Sequence, residues 1–126
     1  MSERSLMREA YRRVSKAKWE GDVELDLSGL ELQNMPFELN QLTQLQSLNL
    51  SDNRLKTVLN SISRLTQLQS LDLNNNRLTT LPPALGRLTQ LTSLDLRNNA
   101  ITDPPPDVIE QGTEAILAYL RAADKA

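Results

Sequence analysis

A gap-free internal repeat constrains this chain more than any other feature. Slid against itself, the sequence matches at a period of 23 residues. The stretches "LQSLNLSDNRLKTVLNSISRLTQ" (45–67), "LQSLDLNNNRLTTLPPALGRLTQ" (68–90) and "LTSLDLRNNAITDPPPDVIEQGT" (91–113) follow one another without insertion. A degenerate first copy, "DVELDLSGLELQNMPFELNQLTQ", occupies 22–44. A unit this short cannot bury its own leucines, so neighbouring units must stack to make a core. In "LQSLDL" the leucines at 71 and 73 alternate with Ser70 and Asp72, a period of two that predicts a strand with one apolar face. Stacking in phase lines up Leu25, Leu48, Leu71 and Leu94 in one column and Leu27, Leu50, Leu73 and Leu96 in a second. Leu32, Leu55, Leu78 and Ile101 form a third.

The polar exception inside the frame is Asn53, Asn76 and Asn99. Each falls where the strand turns away and backbone groups lose their ladder partners. An Asn side chain carries both a donor and an acceptor, so these three are expected to form a structural ladder. Unit one has Leu30 there, as suits a terminal unit beside a cap. The return half of each unit carries Leu39, Ile62, Leu85 and Val108, followed three residues later by Leu42, Leu65 and Leu88 in the first three units. That spacing predicts a helical or 3₁₀ turn, with Pro36, Pro82 and Pro105 just ahead of it.

With these residues in view, the units resemble leucine-rich repeats of the short intracellular type, L-x-x-L-x-L-x-x-N-x-L followed by L-P-x-x-L-x-x-L, over about Asp22 to Thr113. The resemblance implies an α/β leucine-rich-repeat solenoid with a curved parallel sheet on its concave face. It also implies protein–protein interaction without catalysis. The tail "PPPDVIEQGTEAILAYLR" resembles the exit of the repeat region in bacterial Roco proteins, where such repeats precede a Ras-like GTPase domain and its dimerising partner. This implies either a free-standing relative or a fragment that regulates a GTPase outside this chain. No G-x-x-x-x-G-K-[ST] loop is present, and the four glycines are scattered, so no phosphate cradle is available here. A scaffold with no evolved partner is a further alternative, because units two and three are nearly identical.

A stack has two apolar ends and needs a cap at each. Met7, Ala10, Val14 and Ala17 sit at helical spacing, so residues 3–18 are expected to form a helix with Ser2 as N-cap and Trp19 packed nearby. At the far end Pro104, Pro105 and Pro106 are expected to exclude regular helix locally. A second capping helix is expected to start at Thr113 as N-cap, with Ile116, Leu117 and Leu120 facing inward. The whole chain, 1–126, is expected to be one domain: a cap over 1–21, four repeats over 22–113 and a cap over 114–126. Phe37 stands outside the core pattern and is expected to cover the first cap rather than offer a contact.

Composition narrows the chemistry. There is no Cys and no His, which removes thiol nucleophiles, disulfides, Cys/His zinc sites and imidazole catalysis. Aromatics make up 3% of the chain, so the core must be aliphatic. No apolar run approaches the ~20 residues of a membrane span, and the N-terminus has no signal-peptide pattern. With no cysteine, a cytoplasmic location and no membrane partner are expected. Residues 1–21 carry six Lys/Arg against three Glu and the rest is net acidic. The basic stretch is read as the polar face of a helix. Nucleic acid is not an expected partner of the acidic body.

Function is expected on the strand side chains that point away from the leucines. The candidate partner-binding residues are Glu24, Asp26, Asn49, Ser70, Asp72, Asn74, Ser93, Asp95 and Arg97. Strands lie ~4.8 Å apart, so Asp26, Asn49, Asp72 and Asp95 form a short acidic stripe. Three readings remain open for it: solvation of duplicated units, docking of a basic peptide or protein, or a divalent cation. Calcium takes six to eight oxygens from a shaped loop, which a flat stripe does not offer. An open sheet also lacks the cleft that a carboxylate pair needs for hydrolysis. No metal or cofactor is expected, and the chain is expected to be a monomer or weak dimer. Asp72→Arg is expected to leave stability nearly unchanged.

Overall fold

The computed structural model describes residues 2–124. Four three-residue strands, β1 (Glu24–Asp26), β2 (Ser47–Asn49), β3 (Ser70–Asp72) and β4 (Ser93–Asp95), form one parallel sheet in chain order. The register is in phase with the repeat: Leu25, Leu48, Leu71 and Leu94 stand side by side, as do Asp26, Asn49, Asp72 and Asp95. Leucines face inward and the polar residues outward. The three leucine columns merge into one core that runs the length of the stack. Stability of this kind arises from nearest-neighbour interfaces, because each unit packs on its neighbours alone.

Return segments complete each unit. They are 3₁₀ turns at Phe37–Gln41, Asn60–Arg64 and Pro83–Arg87, and a short helix α2 at Pro106–Glu110. The first, third and last follow Pro36, Pro82 and Pro105, whose fixed φ sets up the turn. The last one corrects the expectation that the proline run excludes helix. Pro106 is the first helical residue, where its missing N–H costs nothing. These turns are bulkier than strands, so the stack curves with the sheet on its concave face.

Helix α1 (Glu3–Glu20) closes one end and runs two residues past the expected limit. Ser2 Oγ accepts from the Ser5 amide at 3.1 Å, and Gly21, at φ 66°, ends the helix in the left-handed region that Gly adopts without strain. Ala10, Val14 and Ala17 are buried, and their small side chains allow a close approach to β1. Trp19 does not pack on this end as expected: it is 86% exposed. Phe37 likewise leaves the cap uncovered, at 68% exposure. The contact between α1 and the first unit is made by the two alanines and Val14 instead.

Helix α3 (Thr113–Asp124) closes the other end with Ile116, Leu117 and Leu120 buried. It lies on the Pro83–Arg87 turn so closely that a Cβ on Gly86 would sit 2.7 Å from the Arg121 backbone nitrogen. Glycine is therefore required there for packing. Arg121 donates to the Gly86 carbonyl at 3.3 Å, and Arg87 pairs with Asp124 at 2.8 Å.

Candidate functional site

Buried asparagines hold the open face of the sheet in shape. Asn53 Nδ2 donates to the carbonyls of Leu27 and Leu50 at 2.9 and 3.0 Å, and its Oδ1 accepts from the amides of Leu30 and Leu32. Asn76 Nδ2 donates to Leu50 and Leu73, and Asn99 Nδ2 to Leu73 and Leu96. Their Oδ1 atoms accept from the amides of Leu55 and Leu78. Consecutive asparagines share a carbonyl, so the bonds form a continuous line through the stack. At Leu30 the neighbouring element is α1 rather than a repeat, and the Leu30 N–H is served by Asn53.

The outward residues lie in three rows. Glu24, Ser47, Ser70 and Ser93 make one, and Asp26, Asn49, Asp72 and Asp95 the next. Ser28, Ser51, Asn74 and Arg97 follow beyond the strands. Glu24, Asp26, Ser93 and Arg97 are exposed, while Asn49, Ser70, Asp72, Asn74 and Asp95 are half-buried. The sheet therefore brings all nine candidate residues onto one face.

The middle row has a structural role that periodicity did not reveal. Asp26, Asn49, Asp72 and Asp95 each accept, through Oδ1, the amide two residues on: Ser28, Ser51 and Asn74 at 2.9 Å and Arg97 at 3.1 Å. Each is an Asx turn that ends its strand. Next comes a left-handed residue at the same place in every unit: Gly29, Asp52, Asn75 and Asn98, with φ between 56° and 67°. These are the residue types that tolerate that region. The recurring Asp/Asn, followed three residues later by Gly, Asp or Asn, was the available signal. It follows that Asp72→Arg removes a turn acceptor and lowers stability, contrary to expectation.

The stripe is also less negative than its composition. Arg97 pairs with Asp95, with Nη2 2.6 Å from Oδ2 and Nε 3.0 Å from Oδ1. Hydrogen bonding from the Arg97 side chain holds the Asp95 carboxyl below the ordinary carboxylate value of 3.8. Bonding from Ser28, ahead of the charge of Arg13, does the same for Asp26. Arg13 also donates to the Asp26 carbonyl at 2.9 Å, tying the stripe to α1. A depressed carboxyl contributes stability that is present above the ordinary Asp range and lost as pH falls through the lowered value. In a carboxyl ¹³C titration, Arg97→Ala is expected to move the Asp95 midpoint up toward 3.8 and leave Asp26 where it was. No movement at Asp95 would show that the pair is not formed in solution.

Of the other charged side chains in this region, some are paired, while Glu24, Asp72 and Arg77 form no salt bridge among the described residues. Arg54 pairs with Glu31 at 2.7 Å, Asn75 donates to Asp52 and Asn98 to Asn74, both at 2.9 Å. Among the described residues, no cluster of three or more carboxylates is gathered to hold a metal ion. Nor is any helix of the described residues long and apolar enough to cross a membrane.

Two family models match the repeats: Leucine Rich repeats (2 copies) over residues 66–106 and Leucine Rich Repeat over 44–65. Together they cover half of the chain, in the phase that the register shows. The chain is a leucine-rich-repeat protein. No curated protein matches it. Among solved structures, a leucine-rich-repeat protein of Leptospira interrogans is similar at 36% identity and a TM-score of 0.65, over 78% of this chain and 25% of that one. A TDR receptor is similar at 30% identity and a TM-score of 0.56, over 66% of this chain and 16% of that one. This leucine-rich-repeat chain thus spans a quarter or less of the length of these relatives. Leucine-rich-repeat domains generally mediate protein–protein interaction.

Proposed function

We propose that this chain binds a protein or peptide through the concave face of its sheet, and that it does so without catalysis. The observation that carries this is the in-register stacking of polar rows on the open face. A rigid ladder presents Glu24, Asp26, Ser70, Asp72 and Ser93 at fixed spacing. The ladder holds the backbone of these residues, and Asx bonds hold the side chains of Asp26 and Asp72, before any partner arrives, which lowers the ordering entropy that binding costs. Charge supports a partner with basic groups near Glu24, Asp26 and Asp72, since Arg97 already occupies Asp95. The face carries no aromatic anchor, so recognition is polar and weakens with salt. A role as the regulatory segment of a Roco-type GTPase is compatible with the same face and rests on the tail sequence alone.

The test must separate charge from folding. Asn49 shows which substitution does this, because it makes the same turn as its Asp neighbours. An Asp26/Asp72/Asp95→Asn variant keeps every turn acceptor and loses three charges. It is expected to melt close to wild type and to retain a basic partner about tenfold less well in capture from native lysate. Equal capture of the same partner by both proteins would remove the concave face from the binding site.

A further inference from the structure

Three backbone contacts recur at each junction between units. The amides of Leu27, Leu50 and Leu73 each donate at 2.8 Å to the next strand, at Asn49, Asp72 and Asp95. The amides of Gly29, Asp52 and Asn75 donate to Ser51, Asn74 and Arg97 at 3.1, 2.9 and 2.9 Å. The carbonyls of Gln46 and Gln69 accept two amides each from the following unit. In the last unit the equivalent groups are the amides of Leu96 and Asn98 and the carbonyl of Thr92. None of these three has a hydrogen-bond partner among the described residues. Helix α3 closes the edge at one point only: Thr113 Oγ1 accepts from the Leu94 amide at 3.1 Å. Thr113 is thus not the expected N-cap of its own helix but a cap on the sheet.

Beside this edge lies a groove of about 410 Å³, between β4 and the α2–α3 junction. Leu94, Ile109 and Ile116 give it an apolar floor, and Asp95 and Arg97 stand at its rim. The two amides lie just beyond β4, two residues apart, ~7 Å along an extended chain. Carbonyls on one side of an extended chain repeat at that distance, whereas those of a helix do not. Unpaired strand edges pair with such segments, taking affinity from the backbone and specificity from alternate side chains. A second copy would offer a strand already flanked by its own α2 and α3, so a free extended segment fits better.

We propose that the groove beside β4 takes an extended segment of a partner protein as a fifth strand, with an apolar side chain seated against Ile109 and Ile116. This site borders the concave face, which it meets at Ser93, Asp95 and Arg97. A partner could engage both, with its strand at the edge and its basic groups on the acidic rows.

The probe is a synthetic peptide of residues 90–99, QLTSLDLRNN, the strand that this kind of edge already pairs with inside the molecule. Amide hydrogen exchange is read on the whole chain with and without it. In the free protein the Leu96 amide is expected to exchange faster than those of Leu50 and Leu73. With peptide, exchange at Leu96 and Asn98 is expected to slow about tenfold. A peptide N-methylated at alternate residues should give no protection. The proposal fails if neither amide is protected at about 1 mM peptide. It also fails if the methylated peptide binds equally, if protection maps to Ser47 and Ser70 instead, or if both amides become protected at high protein concentration without peptide, which would make the occupant a second copy.

Discussion

Replacing Leu71 by Ala lowers the free energy of unfolding by about 2–5 kcal/mol. Leu71 is 1% exposed and stands in register between Leu48 and Leu94. Its side chain belongs to two inter-unit contacts at once. The substitution therefore removes buried methyl groups and leaves a cavity that fixed backbone ladders on both sides cannot collapse. Because stability in a stack resides in nearest-neighbour terms, weakening both interfaces of one central unit weakens the whole. Leu94→Ala is a graded comparison, since Leu94 is only partly buried and has one strand neighbour. Urea unfolding followed by circular dichroism measures both. A midpoint for Leu71→Ala equal to wild type would contradict the stacked core, and a larger loss at Leu94 than at Leu71 would contradict the burial order.

Asn76→Leu is the second large effect, and it tests polar rather than apolar structure. The replacement has the same number and branching of side-chain heavy atoms and favours burial, so a hydrophobic account predicts little harm. The hydrogen bonds predict the reverse. The Leu55 amide, which donates to Asn76 Oδ1 at 3.0 Å, loses its partner in a buried place. The carbonyls of Leu50 and Leu73 each lose one of two amide donors and keep Asn53 and Asn99. An orphaned buried group costs about 1–3 kcal/mol, so the expected loss is about 2–4 kcal/mol by the same unfolding measurement. Asn99→Leu should cost less, because Asn99 is half-buried where Asn76 is buried. Unit one already contains the natural comparison: Leu30 occupies this position where α1 rather than a repeat adjoins it. If Asn76→Leu were neutral or stabilising, the asparagine line would not be what holds the turns.

Much of this architecture is legible in the order of the amino acids. A 23-residue period in unbroken phase leaves little choice, because leucines that cannot be buried within a unit must be buried between units. Strand, turn and core columns follow from alternation and spacing, and both capping helices from their apolar stripes. The strand register comes with them, since a slip of one residue would turn every leucine to solvent. The outward face is equally determined, as the complement of the leucines.

What escapes the sequence concerns single atoms rather than patterns. Asp72 reads as a surface charge, yet its Oδ1 ends a strand; only backbone placement shows that the Asn74 amide lies 2.9 Å away. Trp19 and Phe37 read as packing residues because large rings are usually buried, but the helix–sheet contact is made by Ala10, Val14 and Ala17 and both rings stay exposed. Thr113 reads as a helix cap, while its hydroxyl serves the Leu94 amide across 19 residues of chain.

The sequence by itself determined the solenoid, its inward and outward faces and the need for two caps. Those rest on periodicity, and periodicity survives in one dimension. Only the tertiary structure decided that Arg97 quiets Asp95, that Gly86 must lack a side chain beneath α3, and that the amides of Leu96 and Asn98 find no partner among the described residues beside a groove. These depend on where one end of a stack meets a helix that belongs to no repeat, and a repeating pattern carries no information about its own termination.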